Sequence, residues 1–190
     1  MEKIKEYALG KIDENASLFT EVSDKIWEYA ELSLKEYQSA ALYTDMLKKL
    51  GFETEENTCG IKTAFTGTYG SGKPVIGILA EFDALSGLSQ VGGLCEQKEL
   101  VTDGCGHGCG HNMLGAGSLA AAYAVKCWLE KTGKDGTVIF FGCPGEEGGA
   151  SKAFMARENI WRSLDAALTW HPSDCNEVVT GGCNACMQVL

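Results

Sequence analysis

The sequence predicts an α/β fold with a mixed, largely parallel sheet flanked by helices, and three observations carry that reading. Through the first fifty positions apolar residues recur at three- and four-residue steps, as on helices with one buried face. Short uninterrupted apolar runs follow at 75–80, 137–142 and 164–170, as in strands covered on both sides. A long helical stretch rich in Gly and Ala separates the first two runs. Helix-strand alternation of this kind builds a parallel sheet with helices on both faces.

Taken in order, Ile4, Ala8 and Ile12 mark a short amphipathic helix over residues 2–13. Leu18, Val22, Ile26 and Tyr29 mark a second, which Ser17 is placed to cap and which runs to about Glu31. Ser33-Leu34-Lys35-Glu36 has the form of a capping box for a third helix carrying Ala40, Tyr43, Leu47 and Leu50, with Gly51 at its end. The Thr- and aromatic-rich runs 52–58 and 61–69 read as strands, and Gly70 to Pro74 as a turn. Residues 86–111 form a long Gly-rich segment without periodicity. Asn112 is expected to cap a helix whose buried face holds Leu114, Ser118, Ala122, Val125 and Leu129, and whose small residues allow close packing on the sheet. A further helix is expected over 150–157.

The chemistry concentrates in Gly104-Cys105-Gly106-His107-Gly108-Cys109-Gly110-His111-Asn112. Two of the three histidines and two of the nine cysteines lie there among four glycines. Thiolate and imidazole are the ligand pair that suits zinc-like ions, and glycine lets closely spaced side chains converge. A Gly-rich loop carrying Cys and His by accident is the bland alternative, and the density weighs against it. No second Cys or His pair at zinc-finger spacing follows, so further ligands must come from distant parts of the chain. Candidates stand just past the carboxyl ends of the three apolar runs: Asp83, the pair Glu146-Glu147, and His171. A charge pair in a loop is usually solvated surface and a lone His usually structural. In parallel sheets, however, ligands bind at that edge, and all of these residues reach it independently. Cys109, His111, Glu147 and His171 can supply ligands for one or two divalent ions. The thiolate favours zinc, with manganese as the alternative. The acid beside Glu147 stays free to accept a proton, which is the chemistry of amide hydrolysis.

Four ordered motifs, Leu79-Ala80-Glu81-Phe82-Asp83-Ala84-Leu85, Gly106 to Asn112, Pro144-Gly145-Glu146-Glu147-Gly148-Gly149 and Trp170-His171-Pro172, resemble the M20 metallopeptidases. The resemblance is to the amidohydrolase branch that includes p-aminobenzoyl-glutamate hydrolases, and it covers nearly the whole chain. It implies a zinc-exopeptidase-like catalytic domain, present only in its N-terminal portion over residues 1–182, with residues 183–190 beginning a lid or dimerisation domain. It implies that Cys109 stands for the family's bridging carboxylate, that His111, Glu147 and His171 are ligands, and that Glu146 is the general base. Asp83 matches the acid that orients the site. Glu81 stands where the wider family has histidine. The implied reaction is metal-dependent hydrolysis of an amide bond in N-acyl or aminoacyl amino acids, aryl-glutamates among them, with a small-molecule amide or dipeptide as substrate. The implied longer form is a homodimer or pairs with a related subunit.

The balance of 16 basic against 26 acidic side chains, a formal charge of −10, weighs against nucleic acid or an anionic membrane as partner. No run approaches ~20 apolar residues, and the opening residues lack a signal-peptide pattern. The odd cysteine count fits a reducing cytoplasm better than a disulfide scaffold. Two other readings compete with the enzyme. One is a non-catalytic metal-binding remnant, or a fragment that needs a missing C-terminal half and is inactive alone. The other is a thiol protein whose cysteines are core or redox residues.

Overall fold

The computed structural model describes residues 2–175, so the expected 183–190 segment lies outside the described residues. Helices α1 (Glu2–Glu14), α2 (Ala16–Tyr29) and α3 (Tyr37–Lys49) open the chain, followed by strands β1 (Glu53–Glu56), β2 (Phe65–Ser71) and β3 (Val75–Ala80). Helix α4 (His111–Thr132) leads to β4 (Gly136–Gly142), the short helices α5 (Glu146–Gly149) and α6 (Ser151–Arg157), and β5 (Ala166–Leu168). The strands form one mixed sheet in the order β1-β2-β4-β3-β5. Pairing is antiparallel for β1–β2 and β2–β4 and parallel for β3–β4 and β3–β5. Among the described residues no helix is long and apolar enough to cross a membrane.

The two central strands are apolar on both faces because both faces are covered. Ile78 and Ala80 of β3 and Val138 and Phe140 of β4 point into the main core with Val22, Ile26, Tyr43, Leu47 and Leu119 of α2, α3 and α4. The alternate residues Leu79, Ile139 and Phe141 point the other way, toward Met155 of α6, Trp161 and Leu164. This is the period of two expected of pleated strands. The expected face of α4 is also present, with Leu114, Ser118 and Ala122 at 1% exposure or less.

Several boundaries differ from the sequence reading, each for a local reason. The cap of α2 is Asn15, not Ser17, and makes no side-chain cap bond. The Ser33–Glu36 capping box does not form: Glu36 itself precedes α3, and both side chains turn inward to other partners. Gly110, in the left-handed region, precedes α4, while Asn112 lies inside the helix and donates to Ser23 Oγ. The 61–64 stretch is a turn, and β2 starts only at Phe65. The run 164–170 shortens to β5, an exposed edge strand rather than a buried one, because among the described residues only β3 flanks it.

Close approach between α4 and the end of β3 sets up everything that follows. A Cβ on Gly115 would lie 2.2 Å from the Tyr43 hydroxyl oxygen and 2.9 Å from the Glu81 carbonyl oxygen. Only glycine lets the first turns of α4 sit that close to the strand end. Gly115→Ala is therefore expected to destabilise the protein by about 1–3 kcal/mol, the usual cost of overpacking a filled core. Thermal unfolding checks this, and an unchanged melting temperature contradicts it.

Candidate metal centre

The last paired residues of β3 and β4 are Ala80 and Gly142, and the ladder continues one step further through Cys143 N–H to Ala80 C=O at 2.8 Å. Both strands then end side by side, delivering Glu81 and Asp83 from one and Glu146 and Glu147 from the other. Helix α4 begins at the same level with His111, and the 86–110 segment brings in Cys109. That segment is tied down by mutual backbone hydrogen bonds between Leu85 and Gly106. His171 follows β5, with the Trp170 indole N–H donating to Leu114 C=O at 3.2 Å.

His111 is the centre of this group and is 1% exposed. Its Nδ1 lies 3.0 Å from Asp83 Oδ1 and 3.2 Å from Asp83 C=O. Both are acceptors, so Nδ1 carries a proton, and Nε2 is the ring atom open to a second proton or to a cation. Nε2 is buried without a hydrogen-bond partner; Glu81 Oε2 is 3.1 Å away but not aligned as one. Glu147 Oε1, 3.9 Å from Nε2, is likewise buried and unpartnered. Cys109 Sγ lies 3.2 Å from His171 Nε2, and the two imidazole rings stand edge to face with centroids 5.6 Å apart. Ligand atoms of Cys109, His111 and His171 lie within 4.8 Å of one another, as do those of Glu81, His111 and Glu146.

The electrostatics favour a positive charge at this point. Burial opposes ionisation of His111, but Asp83 and then Glu81 outweigh it and push its pKa up to about 10. Burial, followed by Glu147, pushes the Cys109 thiol up to about 12. Burial and the neighbouring Glu81 carboxylate raise Glu146. Asp83 and Glu81 are held low: burial works against them, but His111 prevails in both, with Ser33 aiding Asp83 and Lys152 aiding Glu81. Two buried, unpartnered atoms, His111 Nε2 and Glu147 Oε1, beside a thiol and a second imidazole suit a divalent cation. Such an ion would replace a proton on His111 and stabilise the Cys109 thiolate.

The predicted residues Asp83, Cys109, His111, Glu146, Glu147 and His171 therefore all meet at one edge. Their burial differs: Asp83 and His111 are buried, Cys109 and Glu147 half-buried, Glu146 and His171 exposed. Sequence reasoning missed Glu81 as a neighbour of His111, although its place beside Asp83 past β3 was visible. It also missed Lys152, whose Nζ pairs with Glu81 Oε1, and Ser33, whose hydroxyl donates to Asp83 Oδ2 at 2.7 Å. His107 stands apart from the cluster. Its Nε2 donates to Ile26 C=O at 3.0 Å, and burial pushes its pKa down to about 4.

This fold and site define a metallohydrolase-type domain. Residues 77–183 match peptidase family M20/M25/M40, and the chain belongs to that family of hydrolases. It is 48% identical over 173 residues to a p-aminobenzoyl-glutamate hydrolase subunit of Escherichia coli (strain K12), covering 90% of this chain and 36% of that protein. It is 29% identical over 186 residues to Xaa-Arg dipeptidase of Mus musculus, covering 93% of this chain and 40% of that protein. The chain thus spans little more than a third of the curated relatives it matches. Its fold superposes on a dinuclear metal-binding peptidase of the M20 family from Bacillus subtilis with a TM-score of 0.68, at 23% identity, covering 83% of this chain and 43% of that one.

The raised pKa of His111 carries a pH signature. A group whose pKa is higher folded than unfolded adds stability below its unfolded value and loses it as pH rises through the folded one. With chelator present, the melting temperature is expected to fall as pH rises from the ordinary histidine value of 6.5 to about 10. His111→Asn should flatten that fall; an equally steep slope in the variant contradicts the pairing with Asp83 and Glu81.

Proposed function

We propose that this chain forms the metal-binding part of an amidohydrolase that cleaves the amide bond of N-acyl or aminoacyl amino acids, aryl-glutamates in particular. The observation that carries the reading is the buried, unpartnered pair His111 Nε2 and Glu147 Oε1 facing each other beside Cys109 and His171. The similarity to a p-aminobenzoyl-glutamate hydrolase subunit supports the substrate class, and with it an assembly with a related subunit or a second copy. Cys109, His111, Glu147 and His171 hold one or two divalent ions, zinc by preference for the thiolate and imidazoles. When bound, such an ion supplies Lewis acidity toward water and toward an amide carbonyl.

The chain's own residues do the rest. Asp83 fixes the His111 tautomer, so that Nε2 is the ligating atom. Glu146 is exposed to the site and its carboxyl is held above the usual range, which suits a group that takes a proton from water and returns it to the leaving amine. Lys152 pairs with Glu81 and keeps that carboxylate from competing as a base. The partial coverage of the curated relatives supports a second reading, in which this segment binds metal but turns over substrate only with further polypeptide. The chain's thiols suit a cytoplasmic setting.

Two variants test these roles. Cys109→Ala is expected to lower metal stoichiometry in protein purified without chelator; unchanged metal content removes Cys109 from the ligand set. Glu146→Gln is expected to keep its metal while hydrolysis of p-aminobenzoyl-glutamate falls by roughly 10² or more. Loss of metal in that variant instead exchanges the roles of Glu146 and Glu147. Assay of this chain beside a form extended to the length of its relatives separates the two readings. Equal specific activity excludes the second.

A further inference from the structure

Glu36 is a carboxylate with no exposed surface, and its hydrogen bonds go to none of the proposed ligands. Its Oε1 accepts from Leu34 N–H at 2.8 Å and from Gly145 N–H at 2.7 Å, and its Oε2 accepts from the Thr63 hydroxyl at 2.9 Å. Burying a carboxylate is costly even when it is hydrogen-bonded, and a cap for α3 would not require it. The residue it reaches is what gives the arrangement a purpose. Gly145 is in the left-handed region at φ 62 and immediately precedes the two acids of α5. A Cβ on Gly145 would lie 2.9 Å from the Leu34 side chain, so the segment 33–36 presses on this turn as well as bonding to it.

The peptide ahead of Gly145 is thus pinned by Glu36, and the peptide following Glu146 is pinned by Asp83 Oδ2, which accepts from Glu147 N–H at 2.9 Å. Two buried carboxylates from different parts of the chain therefore bracket Glu146 and set the direction in which it and Glu147 leave the backbone. We propose that Glu36 is a positioning residue: through Gly145 N–H it aims the Glu146-Glu147 turn at Cys109 and His111, and metal affinity and proton transfer depend on its reach. The inference rests on the proposed metal centre.

Reach and charge can be separated. Glu36→Gln keeps the length and the acceptor for Gly145 while removing the charge. Glu36→Asp keeps the charge and withdraws it by one methylene. Thr63→Val removes the third hydrogen bond without touching Gly145, and so reports the effect of disturbing the buried network alone. Zinc affinity of each variant of this chain, measured by competition with a chromophoric chelator, is the readout, with melting temperatures recorded in parallel. Glu36→Asp is expected to weaken zinc binding about tenfold or more, the usual effect of losing a contact behind a ligand. Glu36→Gln should stay within about twofold of the unsubstituted chain, and Thr63→Val should lower the melting temperature without moving the affinity. The proposal is overturned if Glu36→Asp binds zinc as the parent does, if Glu36→Gln is the weaker of the two, or if Thr63→Val weakens binding as much as Glu36→Asp. Failure of the unsubstituted chain to bind zinc, manganese or another divalent ion would instead refute the metal centre itself.

Discussion

Asp83 accepts three hydrogen bonds from three separate parts of the chain while buried to 1% exposure. Oδ1 takes the His111 Nδ1 proton, and Oδ2 takes the Ser33 hydroxyl and the Glu147 backbone N–H. Every partner is a donor, so the position requires an acceptor-only group. An amide there would turn an NH₂ toward another donor or leave one unpaired. This one carboxylate therefore joins the end of β3, the link between α2 and α3, the start of α4 and the acid-bearing turn after β4. A buried charge so fully satisfied tolerates few alternative arrangements, and the geometry of the centre follows from it.

The sheet places that carboxylate where it can act. Parallel pairing of β3 with β4 ends both strands at the same level, so residues just past each end emerge as neighbours. The antiparallel half, β1 and β2, takes no part in the site and serves to cover the far side of β4. Helix α4 closes the arrangement through its small residues, whose lack of bulk, most acutely at Gly115, brings the helix N-terminus against the strand ends.

Much of this was legible in the sequence. The apolar runs at 75–80 and 137–142 could only be strands covered on both faces, and the chemistry-bearing residues fell just beyond them. The stripe of α4 was read in part: Leu114, Ser118, Ala122 and Leu129 are buried, Val125 only half-buried, and the small residues between them bury further faces of the helix. What failed was local signal with more than one use. Ser33 and Glu36 have capping-box spacing, yet tertiary partners outcompete the helix end: Asp83 takes the hydroxyl, and Gly145 and Thr63 take the carboxylate. Asn112 resembles a cap but serves Ser23 from inside the helix. The 164–170 run looked like a buried strand because composition does not reveal which strands lie at an edge. Glu81 was seen but not assigned, since its closeness to His111 depends on how α4 docks.

The edge position of β5 has a consequence for the donors themselves. His111 is anchored in the core, whereas His171 follows a three-residue strand that, among the described residues, pairs only with β3, and it is exposed. Short edge strands open locally at low free energy, well below that of global unfolding. One wall of the centre is thus rigid and the other detachable. A cation held by both walls would clamp the edge strand to the sheet and make docking of β5 and ion occupancy reciprocally linked equilibria. Loosening of the edge would then hasten release of the ion, and loss of the ion would free the edge.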